Sequence, residues 1–234
     1  MDYKVIITTS GTGSRLKDLT KKTNKALINI NGKPVISYIL ERYSKNIPLV
    51  ITVGYLADQV IEFFKNNYQD RQIEFVKINP YEGPGSSLGY SLLQTKNLIR
   101  CPFIFHACDT IVLEDIPIPD KNWIAGFRLQ KNLDASSYRT QTVRDGKIIR
   151  LNEKGVSNFD LIHIGLTGVV DYDFFWKTLE KLHSEKSAED TSLSDVHVVE
   201  KMIENNKKFY SVELKKWFDT GNPEALLHTA RELK

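Results

Sequence analysis

Val5-Ile6-Ile7-Thr8-Thr9-Ser10-Gly11-Thr12-Gly13-Ser14-Arg15-Leu16 begins as a β-branched run and turns at once into a glycine loop. Val, Ile and Thr suit the pleated surface of a strand. A continuous apolar strand with no polar face belongs in a parallel sheet covered by helices. Gly11 and Gly13 let the backbone come close to an anion, and successive N–H groups in such a loop form an anion-binding nest. Arg15 adds a planar fork of cationic donors. A loop at the carboxyl end of a strand is where open α/β sheets take ligands. A tight turn with no ligand would use the same residues. The dinucleotide fingerprint needs a third glycine where Leu16 stands, which argues against a dinucleotide-dependent dehydrogenase. The Walker pattern needs Gly-Lys-Ser/Thr, which is absent.

Outward from this loop, short apolar runs alternate with helical patterns. Residues 49–53, 73–78 and 103–107 read as further strands. Between them, residues 34–43 place Val35, Ile36, Ile39, Leu40 and Tyr43 on one face, behind a first-turn Pro34. Leu56, Val60, Ile61 and Phe64 mark a second helix, and residues 87–97 a third. This rhythm predicts an α/β fold with a central, mostly parallel sheet flanked by helices on both faces. After Asp109 the rhythm changes. Residues 123–129, 137–143, 147–151 and 161–170 read as strands, with Asp145-Gly146 as a hairpin turn. Residues 174–183, 193–205 and 223–233 read as helices. The expectation is one domain over 1–234 with a mixed sheet: about 1–115 binds the first ligand, and about 116–234 adds substrate-facing strands.

Composition sets the outer limits. The chain has 234 residues, 41% hydrophobic and 10% aromatic, enough to bury a core and too many for a disordered state. Lys plus Arg number 32 and Asp plus Glu 29, a balance that gives no nucleic-acid-binding surface. Two cysteines, Cys101 and Cys108, match no zinc spacing and read as small, buried, reduced side chains of a cytoplasmic protein. No stretch reaches the length of a membrane span or a secretory leader. The five histidines read as core or surface.

Two carboxylates stand out. Asp109 follows the strand 103–107 and would project over the sheet's carboxyl edge, near the glycine loop. Asp219 lies in Trp217-Phe218-Asp219-Thr220-Gly221-Asn222-Pro223-Glu224. Mg²⁺ prefers oxygen and typically takes one or two carboxylates plus phosphate oxygens. Either aspartate would also serve as a turn former, Asp219 ahead of a helix capped by Asn222 and begun by Pro223. Glu114 and Asp115 read as solvated loop charges.

Gly11 to Leu16, Asp18-Leu19-Thr20, Asn24-Lys25-Ala26-Leu27 and Asn31-Gly32-Lys33-Pro34 together resemble the N-terminal signature of the sugar-1-phosphate nucleotidylyltransferases. That resemblance implies a Rossmann-like nucleotidyltransferase fold in a minimal single-domain form. It implies that Ser10, Gly11, Thr12, Gly13 and Ser14 cradle the phosphates of an NTP, with Arg15 and Lys25 on the reacting phosphates. Asp109 and Asp219 match the family's pair that shares Mg²⁺. Asn79, Gly85 and Ser86 match the segment that reads the base, although Ser86 or Ser87 would also cap a helix. Asn152-Glu153-Lys154 and Ile164-Gly165 resemble the acceptor side: Glu153 on sugar hydroxyls, Lys154 on the acceptor phosphate, Gly165 beneath the sugar. Thr8-Thr9-Ser10 and Asn24 depart from the usual pattern. Phosphocholine cytidylyltransferases of the same superfamily also carry a Gly-Ser-Arg loop and a non-proline residue before that lysine. The implied reaction joins the NMP part of an NTP to a phosphorylated small molecule, with nucleotide-sugar biosynthesis as the setting. A cytidylyltransferase acting on phosphocholine or another small phosphorylated alcohol, and a non-catalytic nucleotide-binding module, stay open.

Overall fold

β1 (Lys4–Thr8) lies in the middle of the sheet, with Val5, Ile6 and Ile7 fully buried. The structure is a computed structural model that describes residues 2–129 and 135–233; the ends of the expected unit, Met1 and Lys234, fall outside it. A hairpin of two-residue strands, β2 (Asn29–Ile30) and β3 (Lys33–Pro34), leads into α1 (Val35–Leu40). Then β4 (Leu49–Val53), α2 (Ala57–Asn67), β5 (Ile73–Lys77), α3 (Leu88–Leu93) and β6 (Phe103–Ala107) complete the first half. The second half runs β7 (Thr110–Val112), β8 (Trp123–Phe127), β9 (Thr140–Arg144), β10 (Lys147–Asn152), β11 (Leu161–Val169), α4 (Tyr172–Glu185), α5 (Asp195–Glu204), β12 (Tyr210–Glu213), β13 (Trp217–Asp219) and α6 (Pro223–Glu232).

Among the described residues nine strands form one mixed sheet in the order β5-β4-β1-β6-β11-β8-β12-β10-β9. β5, β4, β1 and β6 are parallel. β11 turns the direction by pairing antiparallel with β6 and β8. Alternation along β1 divides the core. Val5 and Ile7 join Ile36, Ile39, Val60 and Phe64 of α1 and α2 on one face. Ile6 joins Leu92, Phe175, Trp176, Val199 and Met202 of α3, α4 and α5 on the other. Each such side chain contributes roughly 1.5–3 kcal/mol of burial. The sheet is therefore covered on both faces, as the apolar runs require.

The topology also locates the site. From β1 the chain goes out to β4 and β5, then returns across β1 to β6. The order reverses between β1 and β6, and a crevice opens beyond the carboxyl ends of strands at such a switch. The glycine loop follows β1 there, and Asp109 follows β6.

Five strands were not legible in the sequence: β2, β3, β7, β12 and β13, all of two to four residues. β12 enters the sheet between β8 and β10, parallel to β8. β7 and β13 pair antiparallel as a separate ribbon, with Asp219 opposite Thr110. α1 stops at Leu40, short of Tyr43, which is still buried by its contact with His106. Both cysteines are free, but Cys101 is only partly buried. Among the described residues no helix is long and apolar enough to cross a membrane.

Candidate active site

The loop after β1 is fixed by Gly13, whose φ of 67° lies in the left-handed region. A Cβ there would also meet Thr20 Cγ2 at 3.0 Å and Lys25 Cβ at 3.2 Å. Gly13 O accepts from the Leu16 N–H at 2.8 Å and from Thr20 Oγ1 at 3.2 Å, so a turn of 3₁₀ helix (Ser14–Thr20) starts there. Leu16, which breaks the dinucleotide fingerprint, is a buried core anchor. A Cβ at Gly11 would meet nothing within 4 Å. The loop borders a cavity of about 610 Å³ whose walls include Ser10 to Arg15, Lys25, Ser86 and Asp109.

Asn24, the departure before the lysine, has a structural reason. Fully buried, it donates from Nδ2 to Thr9 O at 3.1 Å and Tyr55 O at 2.7 Å, and its Oδ1 accepts from the Ala26 N–H at 3.0 Å. It thus ties the lysine's turn to the end of β1. Lys25 reaches the cavity beside Cys108 and Asp109. Burial works against its charge, but Cys108 and Asp109 outweigh burial and the pKa is raised. Lys25 is therefore an ammonium at neutral pH. Burial pushes the Cys108 thiol up, while the Lys25 charge beside it pulls the other way.

Asp109 and Asp219 are brought together by the β7–β13 ribbon. Asp109 O accepts from the Thr220 N–H at 2.9 Å and from Thr220 Oγ1 at 3.1 Å. Glu114, expected to be a solvated loop charge, instead accepts from the N–H groups of Lys215 and Lys216 at 2.7 and 2.9 Å and pins the start of the ribbon. A Cβ added at Gly221 would lie 3.0 Å from Asp219 Oδ1, 3.2 Å from Arg15 Nη2 and 3.3 Å from Asp109 Oδ2. Two carboxylates and a guanidinium thus converge on a space that only glycine leaves open. Arg15 Nη2 donates weakly to Asp109 Oδ2 at 3.4 Å. Asp219 has a raised pKa, chiefly from burial, with Asp109's charge adding; hydrogen bonds from Tyr138 and Gly221 oppose the rise. Among the described residues no three His, Cys, Asp or Glu side chains gather as a metal cage. Two carboxylates beside an open cavity suit a hard cation that takes its other ligands from a bound anion and water.

The other expected residues are spread more widely. Ser86 lines the cavity and bonds to Gly83 O, while Ser87 caps α3 by accepting from the Tyr90 N–H at 2.8 Å. Gly85 borders a second cavity of about 320 Å³, and its N–H is taken by Ala188 O at 2.6 Å. Asn79 is exposed and away from the lining of the main cavity, where Tyr81 and Glu82 stand instead. Glu153 is held by Arg139 Nη1 at 2.7 Å, and Lys154 is exposed beside it. Gly165, at φ 73°, lies where β11 bulges against β8, and a Cβ there would come within 2.8 Å of Ala107 Cβ. The fold itself requires that glycine.

Nothing in the sequence marks Tyr138, Arg139 or the contact of Cys108 with Lys25 as part of the site. Gly221 carried a faint signal, two positions after Asp219. The others meet their partners only through tertiary pairing.

Residues 4–92 match the nucleotidyl transferase family model. Over 224 residues the chain is 30% identical to the bifunctional protein GlmU of Methanococcus maripaludis, covering 93% of this chain and 51% of GlmU. The chain thus spans about half the length of that relative. A 106-residue stretch is 40% identical to the choline-phosphate cytidylyltransferase of Streptococcus pneumoniae, 44% of each chain. The solved CTP:phosphocholine cytidylyltransferase from the same organism superposes with a TM-score of 0.82 at 21% identity, covering 100% of both chains, a likeness of fold.

Proposed function

Since the chain carries a nucleotidyl transferase domain, we propose that it joins the NMP part of an NTP to a phosphorylated small molecule, a sugar 1-phosphate before others, releasing pyrophosphate. An acceptor phosphate oxygen forms a bond to the α-phosphorus while the bond from that phosphorus to the pyrophosphate oxygen breaks. No base has to remove a proton, because a phosphate monoester with a second pKa near ~6 is already anionic at neutral pH. The remaining task is to bring two polyanions into line and to stabilise the leaving group, which is positional and electrostatic work.

The residues divide that work. N–H groups of residues 10–14 hold the NTP phosphates, and Arg15 stabilises the departing pyrophosphate. Lys25 meets the reacting phosphates from the cavity wall as a fixed cation. Lys154 steadies the acceptor phosphate, and Glu153, oriented by Arg139, faces the acceptor's hydroxyls. Asp109 and Asp219 would hold Mg²⁺, which when bound would neutralise negative charge on the reacting phosphates. Residues 1–115 form the nucleotide half and residues 116–234 the acceptor half.

One observation carries this reading: Asp109 Oδ2, Asp219 Oδ1 and Arg15 Nη2 surround a single point beside the glycine-loop cavity. The experiment is a panel of NTPs and phosphorylated acceptors with Mg²⁺, scored by pyrophosphate release. Release that depends on both partners supports the reading. Nucleotide binding with no acceptor-dependent turnover would replace it with a binding module.

A second acceptor class has its own observation. Tyr138, Trp217 and Phe127 form an aromatic group beside Asp219, with Trp217 at 5.5 Å from each of the other two rings. Aromatic faces attract quaternary ammonium groups, which favours phosphocholine as the alternative acceptor. The same panel separates the two classes.

A further inference from the structure

The hydroxyl of Tyr138 donates to Asp219 Oδ2 at 2.7 Å, while Asp219 Oδ1 accepts from the Gly221 N–H at 2.8 Å. Both oxygens of this carboxylate are therefore held, and each keeps a lone pair for another ligand. The two partners are 81 positions apart in the chain. Tyr138 precedes β9 on the acceptor side, and Asp219 ends β13. The Tyr138 ring meets Trp217 edge-on, at 5.5 Å and 80°, so the strand that carries the aspartate also packs against the tyrosine. A phenolic hydroxyl is a donor throughout the neutral range. Cutting the hydroxyl away would leave a largely buried carboxylate with one protein donor and free to turn about its last torsion.

We propose that Tyr138 is a positioning residue that fixes the Asp219 carboxylate for cation binding. This rests on the reading that Asp109 and Asp219 hold the divalent ion. Donors behind a metal ligand set its orientation, and their loss typically costs about 10–100-fold in affinity or activity.

The experiment titrates Mn²⁺ alone into wild-type protein, Y138F and D219N, following the free ion by electron paramagnetic resonance. Melting temperature and acceptor KM are measured alongside. Phe keeps the ring against Trp217, so Y138F is expected to melt like wild type and to keep its acceptor KM. Its Mn²⁺ affinity is expected to fall about 10-fold, and D219N to lose the site. If D219N loses the site while Y138F binds as wild type does, the inference fails and the metal reading stands. If wild type and D219N bind Mn²⁺ alike, both fail together. A raised acceptor KM in Y138F with unchanged Mn²⁺ affinity would make Tyr138 a wall of the acceptor pocket and overturn the positioning role.

Discussion

The two sides of the cleft are built by different means. The proposed nucleotide side is local: β1, the glycine loop and the Lys25 turn come from one stretch of some two dozen residues. Their contacts, such as Leu16 N–H to Gly13 O and Asn24 to Thr9, span short separations. The proposed acceptor and metal side is assembled from afar. Thr220 reaches Asp109 across 111 positions and Tyr138 reaches Asp219 across 81. Local contacts shape most of the proposed anion cradle, with the bond from Asn24 to Tyr55 O as a longer tie. Distant architecture has to close before the two carboxylates share one space. Substitutions on the two sides should therefore differ in kind, and the largest effects belong where the sides meet.

Asp109→Ala removes one of the two carboxylates at that junction. Turnover is expected to fall about 10³-fold, the scale seen when a preorganised electrostatic group is lost, with NTP affinity in the absence of metal unchanged. Acceptor-dependent pyrophosphate release and nucleotide binding are measured on the same preparation. Near-normal release would break the comparison, because the distant side would then contribute nothing to the chemistry.

His106 tests whether the corner that places Asp109 is itself rigid. Its Nε2 donates to Thr110 O at 2.9 Å, and its Nδ1 accepts from Tyr43 Oη at 2.8 Å. Burial depresses its pKa from 6.5 to about 4, so the folded ring is neutral. The unfolded chain takes up a proton below about 6.5 and the folded chain does not until about pH 4. Its stabilisation is complete above the unfolded value and is lost as pH falls through this window, about 3 kcal/mol in all. Denaturant midpoints between pH 4 and 7 should show that slope, and His106→Phe should flatten it. An unchanged slope would place the acid sensitivity elsewhere.

These tests also mark what the residues revealed on their own. The parallel half was legible because each strand is five residues long and rich in β-branched or aromatic residues, and each helix has a buried stripe: residues 49–53 and 103–107 match β4 and β6 to the residue. The glycine loop, Lys25 and both aspartates were legible as residue types in order. How Asp109 meets Asp219 was not, because β7 and β13 have three residues each and too short a pattern to show a period. Tyr138 and Arg139 were illegible for the same reason: nothing near them in the chain announces a carboxylate partner. Glu114 was misread since an isolated loop acid looks the same whether it meets water or two backbone amides.

Gly221 sharpens the comparison at the level of single atoms. Alanine places a methyl 3.0–3.3 Å from Asp219 Oδ1, Arg15 Nη2 and Asp109 Oδ2, closer than ordinary contact. The Asp219 carboxylate is held by Tyr138 and by the Gly221 N–H and yields little, whereas Arg15 is mostly exposed and moves easily. The fold should survive and turnover fall about 10²-fold, the lower range for losing an electrostatic contact. The apparent metal requirement should rise more than the NTP KM. A uniform rise in both would mean that the methyl disturbs the glycine loop instead.

Arg139 asks the smallest question and bears only on the acceptor side. Its guanidinium is four-fifths buried while its partner Glu153 is mostly exposed, so the arginine is the fixed member and the glutamate the guided one. Removing the arginine takes a favourable charge from Glu153, which is mostly exposed, and from Glu200, which is only partly buried, so the stability cost should be small. Glu153 would lose its orientation, and a charged hydrogen bond is worth about 1.5–3 kcal/mol, part of which water restores at so exposed a group. Arg139→Ala is therefore expected to raise the acceptor KM about 10-fold, close to the lower figure, and to leave the NTP KM alone. A lower acceptor KM would show that the pair blocks the pocket and that acceptors must first pull it apart. A shift in the NTP KM would mean that the two sides of the cleft are not separable at all.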